Sequence, residues 1–248
     1  MKIKILGYLS AYPNEKAACS GYLFMDKNEK FIIDMGFGTF TRLPDEFKIP
    51  DFIIITHFHY DHFSDIFALE YYLKVQKQLG IFQGKIPVYA PEDGFFSDII
   101  NKSDVFDYNI LNEKTIINKK TFYINFIKNY HSLENYSVSI LNADLKTVYT
   151  SDTGYYEKLV SFAENSDLLM SECSLYGKYT GKVQGHMSSL ESAKLALNSG
   201  SKKLLLTHIP AYGDVSILKK EASEIFDGEI FLAGNTGVLN LEKQEENL

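Results

Sequence analysis

The chain has 248 residues, 45% hydrophobic and 23% charged, with a formal net charge of −7 and one arginine, Arg42. That length is enough to bury a real core, and the ordinary composition excludes disorder and fibrous repeats. The acidic balance argues against a broad nucleic-acid footprint, because a negative surface repels the phosphate backbone.

At the start, M-K-I-K-I-L-G-Y-L-S lacks the long apolar stretch and small-residue cleavage site of a signal peptide. No apolar run reaches 18 residues, so no membrane span is expected and the expected compartment is cytoplasmic. Short runs rich in Ile, Val, Tyr and Phe then follow one another as strands: K-I-K-I-L-G, S-G-Y-L-F, K-F-I-I-D, D-F-I-I-I-T-H and I-P-V-Y-A. A helix is expected over Ile66–Gln78. The second half adds strands at Y-I-N-F-I-K-N-Y-H, Y-S-V-S-I-L, K-T-V-Y-T-S-D, D-L-L-M-S-E, K-L-L-L-T-H and G-V-L-N-L. Helices are expected at Tyr155–Glu164, Leu190–Asn198 and Ile217–Phe226. Ser188 with Glu191 fits a capping box ahead of the second of these, and Gly200 a helix stop. Some strands alternate polar and apolar residues, while others are apolar throughout, as strands covered on both faces are. The sum is an α/β chain with helices outside. Cys19 and Cys173 are far apart and read as small buried hydrophobes, with no disulfide expected.

Several of these runs end in an ionisable residue: Asp34, His57, His131, Asp152, Glu172 and His208. Strand ends are held rigidly by a sheet yet face the adjacent crevice, so repeated charged ends suggest one shared site. The densest signal is Thr56-His57-Phe58-His59-Tyr60-Asp61-His62. In extended backbone, His57 and His59 point to one side and can grip one ion together. A turn after them would bring Asp61 and His62 to a second ion. Imidazole and carboxylate donors suit Zn²⁺, and also Mn²⁺ or Fe²⁺.

T-H-F-H-Y-D-H resembles the H-x-H-x-D-H signature of the metallo-β-lactamase superfamily, and the likeness runs along nearly the whole chain. It implies a single domain over 1–248 with the αββα sandwich, two mixed sheets face to face with helices outside. It also implies two divalent ions. One would take His57, His59 and His131, the other Asp61, His62 and His208, with Asp152 bridging. Asp34, in F-I-I-D-M-G, would buttress the metal loop. The sixth and last histidine, His186, sits in G-K-V-Q-G-H-M-S-S. With Glu172 it resembles a pair in the ribonuclease Z branch, where a glutamate orients a histidine that assists at the scissile phosphate. The family's Ser-Thr after that histidine reads Met187-Ser188 here.

Ribonuclease Z enzymes carry a long basic arm between the third histidine motif and the bridging aspartate. Here Ser132–Ser151 leaves room for a hairpin only, so folded tRNA is not an expected partner. The expected activity is a phosphodiesterase on a small nucleotide or short nucleic-acid substrate. Its nucleophile would be a hydroxide held between the ions and aligned by Asp61, with His186 and Glu172 assisting. Two alternatives stay open: hydrolysis of lactones, thioesters or esters, and a non-catalytic metal-stabilised binding protein. A homodimer is also left open. Lys178 and Lys182 are candidates for phosphate contacts. Tyr136, Tyr155 and Tyr156 could stack on a base or belong to the core.

Overall fold

A computed structural model describes residues 1–242; the last six residues of the expected 1–248 domain lie outside it. In chain order, the first half holds β1 (Lys2–Gly7), β2 (Leu9–Ser10), β3 (Gly21–Asp26), β4 (Glu29–Met35), β5 (Phe52–Ile54), α1 (Tyr60–Phe63), α2 (Ile66–Gln78), β6 (Ile86–Ala90), α3 (Phe96–Asn101) and β7 (Phe106–Ile110). The second half holds β8 (Ile117–Asn118), β9 (Tyr123–Lys128), β10 (Tyr136–Asn142), β11 (Leu145–Tyr149), α4 (Glu157–Phe162), β12 (Leu168–Glu172), α5 (Ser189–Asn198), β13 (Lys203–Thr207), β14 (Ile209–Pro210), α6 (Ser216–Ala222), β15 (Glu229–Leu232) and β16 (Val238–Asn240).

Two seven-stranded sheets result, ordered β16-β1-β3-β4-β5-β6-β7 and β15-β13-β12-β11-β10-β9-β8. Each is mixed. In the first, β4, β5, β6 and β7 run parallel and the other pairings are antiparallel. In the second, β11, β12, β13 and β15 run parallel, and β8, β9 and β10 complete it in antiparallel fashion. The parallel crossovers pass through helices, which therefore lie outside the sheets.

Apolar patterning explains the layers. Along β5, Phe52 and Ile54 face the core between the sheets, while Ile53 faces the core under α2. Along β12, Leu168 and Met170 face inward and Leu169 faces the core under α5. A central strand covered on both faces needs apolar residues at every position. The inner core includes the stacked rings of Phe24, Phe31 and Phe52. Ile66, Leu69 and Leu73 anchor α2, each side chain contributing about 1.5–3 kcal/mol by leaving water. Ser188 and Glu191 form the capping box at α5, with both reciprocal hydrogen bonds made.

Boundaries differ from expectation at two helices, besides the one-residue earlier start of α5 at Ser189. The first is Glu157–Phe162 rather than Tyr155–Glu164, because Tyr156 is extended and serves as its N-cap. The second is Ser216–Ala222 rather than Ile217–Phe226. The strands β2, β7, β8, β14 and β15 and the helices α1 and α3 are not among the expected elements. F-D-Y-N-I carries an Asp and an Asn, residues depleted in strands, and lies at a sheet edge. No helix among the described residues is long and apolar enough to cross a membrane. Cys19 and Cys173 are both buried and free.

Candidate metal centre

The ionisable strand ends converge where the parallel strands of both sheets terminate. Asp34 is the penultimate residue of β4, His57 follows β5, Asp152 follows β11, Glu172 closes β12 and His208 follows β13. Ligand sites in parallel sheets form at such carboxyl ends. Three non-glycine residues here adopt left-handed backbone: Asp34 (φ 58°), Ser151 (φ 50°) and His208 (φ 47°). Such residues cost about 1–3 kcal/mol each and persist where their surroundings over-determine them. Gly36 is required for the close approach of β4 to α1, since a Cβ there would lie 1.9 Å from the Asp61 carbonyl oxygen.

Two groups of donors stand side by side, and a third, Asp152, His186 and His208, shares a residue with each. His57, His59, His131 and Asp152 form one, and Asp61, His62 and His208 the other. In the first, His59 Nδ1 is 3.0 Å from His57 Nε2 and 3.1 Å from His131 Nε2. In the second, His208 Nε2 is 3.3 Å from His62 Nε2 and 3.1 Å from Asp61 Oδ2. Asp152 reaches both, with Oδ2 3.7 Å from His57 Nε2 and Oδ1 3.2 Å from His62 Nε2.

The ring nitrogens that face each other are those left free by their supports. His62 Nδ1 donates to Asp34 Oδ2 at 2.8 Å, and His131 Nδ1 to the Gly185 carbonyl at 2.9 Å. His57 Nδ1 lies 3.2 Å from Thr56 Oγ1, whose own hydrogen goes to Asp34. Each of these leaves a bare Nε2 toward the centre. Ring nitrogens facing one another at 3.0–3.3 Å need a proton or a cation between them. A tetrahedral ion with Zn–N bonds of about 2.0–2.1 Å sets its nitrogens about 3.3 Å apart, close to this spacing. Asp152 Oδ1 is buried and makes no hydrogen bond, an orphaned acceptor of the kind a cation satisfies. The donor set thus fits two divalent ions.

Charge tells the same story. Burial, and then the neighbouring His62, hold His57 well below the ordinary imidazole range. Burial also opposes the charge of His62, but Asp152, Asp34 and Asp61 outweigh it and push that ring well above. For Asp152, burial is outweighed by His208 and His62, which hold its carboxyl well below the usual range. Without cations, protons on the histidines must balance the buried carboxylates; ions would take over that task.

His186 borders the centre. Its Nδ1 lies 2.9 Å from Glu172 Oε1, and its ring stacks on His208 with centroids 6.0 Å apart. It lies within 4.8 Å of donor atoms of Asp152 and His208. Burial lowers its pKa, but the hydrogen bond and charge of Glu172 prevail and push it up to about 9. Its Nε2 makes no hydrogen bond among the described residues. Glu172 is fully buried and accepts four hydrogen bonds, from the Thr153 and Ser174 amides, the Ser174 hydroxyl and His186.

All the sequence-derived site residues therefore come together: His57, His59, Asp61, His62, His131, Asp152, His208, Asp34, Glu172 and His186. The secondary candidates do not. Lys178 and Lys182 both lie over the Tyr179 ring, at 5.0 and 5.7 Å. Tyr136 bonds Glu134, Tyr155 takes a hydrogen bond from Asn198, and Tyr156 donates to the Lys128 carbonyl. Those rings serve the scaffold. Sequence reasoning missed Thr56, Ser151, Asn129, Asn135 and Ser174. Thr56 and Ser151 share a 2.8 Å hydrogen bond that ties the two metal loops together. Asn129 and Asn135 clamp the Thr150 and Asp152 carbonyls beside His131. The available signal was adjacency, since each stands within four residues of a predicted ligand or of Glu172.

Comparison with known proteins extends this picture. Residues 30–209 match the family described as beta-lactamase superfamily domain. YhfI of Bacillus subtilis (strain 168), a probable metallo-hydrolase by name, is 32% identical over 252 residues, covering 94% of this chain and 97% of that protein. The crystal structure of this metallo-β-lactamase fold protein superposes with a TM-score of 0.91 at 30% identity, covering 96% and 98% of the two chains. Ribonuclease Z of Streptococcus pneumoniae (strain CGSP14) is 40% identical over 82 residues, 31% of this chain and 26% of that one. The human short-form tRNase Z superposes with a TM-score of 0.76 at 21% identity, covering 98% and 100%, which speaks for the fold alone.

Proposed function

Because this chain belongs to the metallo-β-lactamase superfamily, with ribonuclease Z-like relatives, and is a metal-dependent hydrolase, we propose that it is a phosphodiesterase acting on a small nucleotide or short nucleic-acid end. The observation that carries this reading is the His186–Glu172 pair, held at 2.9 Å beside the centre. Phosphodiester cleavage expels an alkoxide, which needs a proton. Of the carbonyl alternatives, a thioester expels a thiolate, which leaves without a proton and gives such a donor no task.

His57, His59 and His131 would hold one ion, Asp61, His62 and His208 the other, with Asp152 between them. Zinc is the first choice for these imidazole and carboxylate donors, Mn²⁺ or Fe²⁺ the alternatives. When bound, the ions would supply Lewis-acid activation of water and neutralise charge building on the phosphoryl oxygens. Asp61 Oδ2 accepts the Ala11 amide at 2.8 Å, which aims the carboxylate. Its Oδ1 is left to accept a hydrogen from the attacking water and keep it in line with phosphorus. Glu172 holds His186 Nδ1, so Nε2 is the atom that gives a proton to the leaving oxygen.

Substrate size follows from the scaffold. β10 and β11 form a hairpin turning at Ala143 and Asp144, and no arm extends from it to embrace a folded RNA. The one arginine and the net charge of −7 agree with a small ligand. The reading takes residues 1–248 as one hydrolase domain, since all three apolar cores abut the same two sheets.

The test is a parallel panel on metal-loaded protein: bis-p-nitrophenyl phosphate, cyclic nucleotides, a p-nitrophenyl ester, a lactone and a chromogenic β-lactam. Turnover of phosphodiesters is expected. Turnover of carbonyl substrates with none of phosphodiesters would overturn the reading.

A further inference from the structure

Ser174 stands two residues beyond Glu172, so in extended backbone both side chains leave the strand end on the same side. Its hydroxyl lies 2.8 Å from Glu172 Oε2, 2.9 Å from His208 Nδ1 and 3.3 Å from His186 Nδ1. A hydroxyl has one hydrogen, and a carboxylate can only accept. The Ser174 hydrogen therefore goes to Glu172 Oε2. His208 Nδ1 must then carry the hydrogen of the 2.9 Å bond, which turns Nε2 to the centre. Nε2 is the atom that faces Asp61 Oδ2 at 3.1 Å and His62 Nε2 at 3.3 Å. The rival acceptor, Asp152 Oδ1, lies 3.2 Å from the same Nδ1 but makes no hydrogen bond. His186 does not compete for the serine, because its Nδ1 is nearer to Glu172 Oε1, at 2.9 Å.

We propose that Ser174 is a positioning residue that extends Glu172 to His208 and so orients one face of the metal centre. Glu172 then serves two histidines, His186 directly through Oε1 and His208 through Ser174 and Oε2. The inference rests on the reading of His208 as a ligand of the ion shared with Asp61 and His62. It separates the two ion positions energetically. The supports of His57, His131 and His62 are Thr56, the Gly185 carbonyl and Asp34, none of which involves Ser174.

The experiment compares wild type, Ser174→Ala and Ser174→Thr, each zinc-loaded and titrated with a competing chromophoric chelator. Two zinc ions per chain are expected throughout, with one of the two bound about 10–100-fold more weakly in Ser174→Ala. The other ion should keep its wild-type affinity, and Ser174→Thr, which retains the hydroxyl, should restore both. Nitrogen NMR of the loaded wild type should show His208 protonated at Nδ1 and bare at Nε2, with the Nδ1 proton exchanging much faster in Ser174→Ala. A purely structural role would weaken both ions together or lower thermal stability without this asymmetry. If Ser174→Ala holds both ions as tightly as wild type, or loses both equally, the inference about Ser174 is overturned while the two-ion centre stands. If wild type itself binds fewer than two ions, the reading beneath it falls as well.

Discussion

His186→Ala lowers kcat on a phosphodiester by about 10²–10⁴-fold, the range for loss of a positioned proton donor, and leaves two ions bound. Among the described residues the ring hydrogen-bonds Glu172 and Ser174 and packs against the His131 and His208 rings, and its Nε2 makes no hydrogen bond. Truncating it would remove the proton donor and none of the seven residues that would hold the two ions. The loss should fall on kcat rather than KM, because the donor acts on charge that develops only in the transition state. It should shrink on substrates with an activated leaving group such as p-nitrophenolate, which departs without a proton. Glu172→Gln should also lower kcat, since it no longer favours the charge of the ring. An equal loss of metal and kcat in His186→Ala would make His186 a structural residue.

The largest stability effect is expected at Asp34. Its side chain is fully buried and accepts four hydrogen bonds, from the Thr56 amide at 2.8 Å, the Thr56 hydroxyl at 3.0 Å, His62 Nδ1 at 2.8 Å and the Tyr149 hydroxyl at 3.2 Å. Asp34→Ala leaves those donors without a partner in the interior. Breaking one side of a buried ionic network costs about 3–5 kcal/mol. For a chain of this size that is a fall of roughly 10 °C in Tm. The residue also sits at φ 58°, where alanine is strained and asparagine is tolerated. Asp34→Asn should therefore recover part of the loss. Melts run with and without chelator separate the two contributions: the chelated variant should still melt well below the chelated wild type. A Tm within about 1 °C of wild type in both conditions would show that Asp34 does not anchor the metal loop.

Much of this was legible in the sequence, for physical reasons. Continuously apolar runs such as Phe52–Ile55 announce strands covered on both faces, and the cores on either side of β5 are the result. Six histidines in 248 residues, three of them closing apolar runs, leave few ways to scatter and one way to converge. The Ser188–Glu191 box was legible because capping is local. What stayed hidden depends on distant residues meeting. Ser151 and Thr56 are 95 positions apart, and Ser174 and His208 are 34 apart, yet each pair shares a hydrogen bond. Serine and threonine are too common for their type alone to mark them. Left-handed backbone at Ser151 and His208 is likewise imposed by tertiary structure on residues with no local preference for it. The tyrosines near the motifs illustrate the converse: Tyr136 and Tyr156 sit beside the right residues in sequence and turn to the scaffold in space.

The central claim is a centre of two ions shared by both sheets through Asp152. Metal analysis of purified protein, alongside Asp152→Ala, tests it most directly. The account predicts two divalent ions per chain in wild type. It predicts at most one in Asp152→Ala, with phosphodiester turnover lost in proportion and restored in chelated wild type by adding metal back. A wild type that holds one ion or none, or an Asp152→Ala variant that keeps both ions and full turnover, would contradict it.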